Sequence, residues 1–194
     1  QMWEFVESVR GVADACHAIT LKDNPDDATP IIAGNVSFYN ESKTGAIPPS
    51  PIVSCLGRIK DVNKAVPMHF QQTDSVILMI GERKDELGGS MYYNLYGELG
   101  AHVPQPDLEE VKKQIFALTD CIDDGIVFSC HDIADGGVVS AIAEMTFGNG
   151  IGCDVNVSSD LSNDKILFSE TGGFILEVSM GNMHFVQRLF SDRS

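Results

Sequence analysis

Apolar residues recur at three- and four-residue steps near the start of the chain, at Trp3, Phe5, Val6, Val9, Val12, Ala13 and Cys16. That spacing predicts an amphipathic helix over residues 1–19. No Ser, Thr, Asp or Asn precedes Met2 and Trp3, so the chain is expected to begin inside a helix that is longer in a parent protein. An isolated helix of this length is marginal in water. Its apolar face is therefore expected to dock on the rest of the chain, to pair with another copy or to fray, and self-association is the favoured outcome. Residues 22–29 are polar and read as an exposed loop. Pro30-Ile31-Ile32-Ala33 is a short apolar run with β-branched residues and reads as a buried strand arriving at Gly34.

Pro48, Pro49 and Pro51 punctuate residues 42–51. Proline has no N–H for a helix or central strand, so a domain boundary is placed there. Strands follow at 52–59 and at 74–82, the second carrying Val76-Ile77-Leu78-Met79-Ile80, apolar enough to be buried on both faces. Leu87-Gly88-Gly89-Ser90 predicts a glycine turn into a helix. Pro106-Asp107 opens another, in which Leu108, Val111, Ile115, Leu118 and Ile122 keep helical spacing up to a stop at Gly125. A strand is predicted at 126–130, a helix at 138–147, a half-buried strand at 152–157, a strand at 174–179 and a last helix from Met183. Strands and helices alternate irregularly, which predicts an α+β domain from about Pro48 onward, with helices layered on a sheet.

With 43% hydrophobic and 21% charged residues in 194, the composition is that of a globular chain. Thirteen Lys and Arg face twenty-eight Asp and Glu, a net charge of −15, which argues against binding a nucleic-acid backbone. Five cysteines lie scattered without a Cys-x-x-Cys pair, which suits a reducing compartment. No apolar run approaches the roughly 20 residues that span a bilayer, and the N-terminus lacks a signal-peptide layout. A cytoplasmic protein without a membrane partner is expected.

Candidate chemistry gathers in three places. After Gly34, the side chains of Asn35, Ser37, Tyr39, Asn40 and Glu41 could bond phosphate, hydroxyl or a hard cation; an Asn/Gly turn followed by an ordinary strand fits the same residues. His131, Asp132 and Asp135 stand at a strand-to-helix turn and suit a metal or a general base, or, equally, helix capping by the two aspartates. Ser169-Glu170-Thr171-Gly172-Gly173 could cradle an oxyanion or be a plain glycine loop. Cys130 and His131 are neighbours on a strand and point to opposite faces, so a Cys/His catalyst is discarded. A P-loop and a Gly-x-Ser-x-Gly elbow are both absent.

Gly34-Asn35-Val36-Ser37-Phe38-Tyr39-Asn40-Glu41, then Leu87-Gly88-Gly89-Ser90 with Tyr92-Tyr93, then His131-Asp132-Ile133-Ala134-Asp135-Gly136-Gly137, then Leu167-Phe168-Ser169-Glu170 stand in one order. In that order they resemble the second half of the phosphoribosylformylglycinamidine synthase family in its small-subunit form, within the aminoimidazole ribonucleotide synthetase superfamily. The resemblance implies that residues 1–47 are the end of an ATP-binding, dimerising N-terminal-type domain, a helix and strand of it, and that 48–194 form the C-terminal α+β domain. It implies an ATP-dependent ligase that turns formylglycinamide ribonucleotide and glutamine-derived ammonia into formylglycinamidine ribonucleotide, ADP and phosphate. A glutaminase subunit and a small accessory subunit are the implied partners. Residue by residue, Gly34 lies against ATP, Asn35 holds Mg²⁺, Ser37 contacts the ribonucleotide, and Asp132 matches a metal-binding aspartate of the first half. The catalytic histidine belongs to that first half, so no catalytic residue is expected among these 194. The alternatives are a related ATP-dependent synthetase or kinase of the superfamily and a non-catalytic nucleotide-binding assembly module.

Overall fold

Residues 2–35 and 41–191 are described by the computed structural model. Contacts divide the chain into two units, Gln1–Arg58 and Ile59–Ser194.

In the first unit the three-and-four spacing produces helix α1, Met2–Ala18. Thr29 returns to its end, donating its N–H to Cys16 O at 2.8 Å and its hydroxyl to Ile19 O at 2.5 Å. None of the residues of α1 is buried, and Trp3 is 73% exposed. Residues 30–33 do not form the predicted strand, and Ile31 and Ile32 stand in solvent. A β-branched run becomes a strand only when a second segment completes its ladder, and among the described residues none pairs with this one. The helix-and-strand expectation for this part of the chain is corrected accordingly: the helix stands, and the strand is replaced by irregular chain. A two-residue hairpin follows, β1 (Glu41–Ser42) against β2 (Gly45–Ala46). Residues 52–59 also form no strand and have no strand partner among the described residues, and Ile52, Val53, Leu56 and Ile59 are exposed.

The second unit is built on a three-stranded antiparallel sheet of β3 (Val76–Ile80), β4 (Val127–Asp132) and β5 (Phe174–Val178), in the order β3-β5-β4. The strand that comes last in the chain is therefore the central one. Side chains alternate across it. On one face Leu176 and Val178 join Leu78, Ile80, Leu118, Cys121, Val127 and Val186, beneath α3 (Leu108–Asp123) and α6 (Met183–Ser191). On the other, Ile175 meets Phe70, Ile133, Val138, Ala141 and Met145, where α4 (Gly137–Met145) packs. Each large apolar side chain so buried contributes about 1.5–3 kcal/mol. The result is the layered α+β arrangement that the alternation of elements predicted. β3 departs from expectation: it lies at a sheet edge, and Met79 is exposed.

Helix starts follow the polar signals. Asp107 caps α3, its Oδ1 accepting from the N–H groups of Glu109 and Glu110 at 3.1 Å. Gly125, at φ 69°, closes that helix as expected, and Lys64 Nζ donates to Asp123 O at 2.6 Å, a cation at the carbonyl end. Ser90 caps α2 (Met91–Leu95). A helix that the pattern did not announce, α5 (Asn163–Phe168), precedes the Ser169–Gly173 loop. The alternating residues 152–157 form no strand, again for want of a partner among the described residues.

Candidate functional site

Three of the sequence motifs meet in the second unit, and the side chain that joins them is Glu170. Its Oε1 accepts the Met91 N–H at 2.8 Å, just past Leu87-Gly88-Gly89-Ser90, and the Gly136 N–H, also at 2.8 Å, within the His131–Gly137 turn. Both donors stand at helix starts, where unpaired N–H groups and the helix dipole favour a carboxylate. Backbone also touches backbone here. A Cβ on Gly137, which has φ +71°, would lie 2.7 Å from Leu167 O and 2.8 Å from Phe168 Cα, so only glycine lets α4 and α5 approach this closely. Tyr92 stacks on Phe168 with ring centroids 4.4 Å apart and 14° between planes.

The Ser169–Gly173 loop is held from behind by Arg83. This buried guanidinium donates to Ser169 O at 3.4 Å and to Gly172 O, while its Nε has no partner among the described residues. Burial lowers its pKa to about 10, against the opposing pull of Glu86. Lys165 Nζ reaches Asp85 at 2.6 Å.

Beside α4 is a cavity of about 160 Å³ lined by His131, Asp132, Asp135, Ser140 and Glu144, among others. His131 is engaged at both ring nitrogens, Nε2 with Glu144 Oε2 at 2.9 Å and Nδ1 with Asp132 O at 2.7 Å, which makes it a structural histidine. The capping alternative for the aspartates fails. The N-cap of α4 is Gly136, which has no side chain to cap with, and the Gly136 N–H goes to Glu170 instead. The Asp132 carboxylate, 67% exposed, has His131 Nδ1 at 3.3 Å as its neighbour and remains open to a ligand. Cys130 is no nucleophile: burial first, and the Asp132 charge second, push its thiol up to about 12.

Carboxylate and hydroxyl oxygens of this kind suit a hard cation that keeps most of its water, as Mg²⁺ does. Among the described residues no three His, Cys, Asp or Glu side chains converge into a cage of their own. The amide oxygen of Asn35 is of the same donor class. Gly34 and Asn35 lie exposed on irregular chain in the first unit, and Ser37 lies outside the described residues, as do Val36, Phe38, Tyr39 and Asn40. Sequence reasoning missed the linking role of Glu170, and with it Arg83 and α5. A charged residue two positions before a glycine pair was the one available signal, and it fits a loop equally well.

Curated relatives of this chain include the phosphoribosylformylglycinamidine synthase subunit PurL of Methanothrix thermoacetophila, 43% identical over 182 residues, and that of Alkaliphilus metalliredigens, 36% identical over 190. These alignments cover 92% and 95% of this chain but 24% of each relative, so the chain spans about a quarter of the length of the proteins it matches. In fold it is similar to T. maritima PurL complexed with FGAR, with a TM-score of 0.57 and 18% identity over 68% of this chain and 24% of that one. Residues 72–183, which contain the sheet and all three converging turns, match the family described as AIR synthase related protein, C-terminal domain, and the chain belongs to that family.

Proposed function

We propose that this chain is part of the ATP-dependent ligase that converts formylglycinamide ribonucleotide and glutamine-derived ammonia to formylglycinamidine ribonucleotide, with release of ADP and phosphate. The observation that carries this reading is similarity to synthase subunits along nearly the whole chain, supported by four motifs in one order. In this reading residues 1–47 belong to the nucleotide-binding domain and 48–194 to the C-terminal domain. Gly34 lets the backbone approach ATP, Asn35 holds Mg²⁺ through its amide oxygen, and Ser37 bonds the ribonucleotide. Asp132 serves the cation of an auxiliary nucleotide. Mg²⁺ neutralises charge on the transferring phosphoryl group. A glutaminase subunit supplies ammonia, a small accessory subunit completes the assembly, and the setting is cytoplasmic.

The test is kinetic. In the full-length parent protein, Asn35→Ala and Ser37→Ala are each expected to lower kcat/KM by about tenfold or more, equivalent to ~1.4 kcal/mol of lost transition-state stabilisation. Unchanged kinetics in both variants at matched folding would remove these residues from the site.

A further inference from the structure

We propose that Glu170 is a positioning residue: its carboxylate locks the turn that leaves Asp132 at the end of β4, and that carries Asp135, onto the Leu87–Ser90 turn, and so fixes how the two aspartates face a cation relative to each other. Three observations carry this. One oxygen, Oε1, takes both the Met91 and the Gly136 N–H at 2.8 Å, so a single side chain spans two helix starts. α4 has no side-chain cap of its own and begins with two successive glycines at positive φ, Gly136 and Gly137, a stretch of backbone that favours no one conformation without an outside partner. Glu170 itself stands on a fixed base. Ser169 is fully buried, its carbonyl accepts from Arg83 and its hydroxyl meets Thr171 Oγ1 at 3.0 Å, while Phe168 is clamped by Tyr92. A carboxylate oxygen shared by two backbone donors is committed to them rather than to a ligand, so Glu170 acts through the turn that it holds.

The functional half of this inference rests on the reading of Asp132 as a cation ligand; the structural half does not. The 194-residue chain is compared with Glu170→Gln, which keeps a carbonyl oxygen for both donors, and with Glu170→Ala, which does not. Amide proton and nitrogen shifts of Met91 and Gly136 are recorded, followed by a titration with Mn²⁺ alone, read as paramagnetic broadening of the Asp132 and Asp135 amides. In Glu170→Ala both reporter amides are expected to move together and the Mn²⁺ concentration for half-broadening to rise about tenfold, the scale of losing about one charge-assisted hydrogen bond. Glu170→Gln should stay within about threefold of the original chain, since a neutral acceptor forfeits only part of that bond. If the alanine variant does not fold, Glu170→Asp, one methylene too short to reach both donors, is expected to move at least one reporter amide. Reporter amides unmoved in both shortened variants would overturn the proposal. So would glutamine being as damaging to Mn²⁺ binding as alanine, since that marks Glu170 as a ligand. Absence of broadening in the original chain would overturn the Asp132 reading and the functional half with it, while the reporter amides still decide the structural half.

Discussion

Glu177 shows how much one buried carboxylate can organise. It lies fully buried near the end of the central strand β5, where an unpaired charge would be very costly. Four donors meet it: the Gln71 N–H and the Ser129 hydroxyl on Oε2, the Gln72 N–H and the Ser75 hydroxyl on Oε1, all within 2.9 Å. Burial raises its pKa, but the Gln71 N–H, the two serines and the Gln72 N–H together outweigh burial, and the carboxyl sits below its ordinary value. A depressed carboxylate contributes stability that is fully present above the unfolded-state pKa, about 4.3 for Glu, and that is lost as pH falls through the lower folded value. Glu177→Ala strands four donors in the interior and is expected to cost about 3 kcal/mol or more in urea unfolding at pH 7, with the difference from the original chain shrinking in acid. A loss under about 1 kcal/mol would mean that water replaces the carboxylate. Neither Glu177 nor Glu170 was legible as a hub in the sequence. Four of their six donors are backbone N–H groups from segments 34 to 106 residues away, and every residue type but proline carries an N–H.

At the scale of elements, the helices were the more legible part. Asp107, Ser90 and Gly125 are local signals, and the helices that they bound formed where they pointed. Strands depend on a partner that the run itself does not name. Residues 76–80, 127–132 and 174–178 found one, whereas the equally alternating or β-branched runs at 30–33, 52–59 and 152–157 found none among the described residues. A three- and four-residue spacing likewise says that α1 has an apolar face but not what covers it. Met2, Trp3, Val6 and Val9 are exposed in this chain, and burying each large side chain contributes about 1.5–3 kcal/mol. The isolated 194-residue chain is therefore expected to self-associate through α1. Sedimentation over a concentration series should show oligomers that Trp3→Glu combined with Val6→Glu disperses. A monomer at every concentration, indifferent to those changes, would rule this out.

At the scale of the molecule, three motif turns belong to one unit and are joined there by Glu170, while Gly34 and Asn35 belong to the other. The order of the motifs was visible in the sequence; their meeting point was not, because it depends on β5 entering the sheet between β3 and β4. Since the chain spans 24% of the length of its relatives, chemistry is expected from the full-length parent protein, and the 194 residues alone should form no ADP. The most direct test supplies the parent protein with ATP, Mg²⁺, ammonium and formylglycinamide ribonucleotide, and quantifies ADP and the amidine together. Equal amounts of both, formed only when the ribonucleotide is present, are predicted. ADP formed without the ribonucleotide, or no amidine from a folded parent protein, would contradict the assignment.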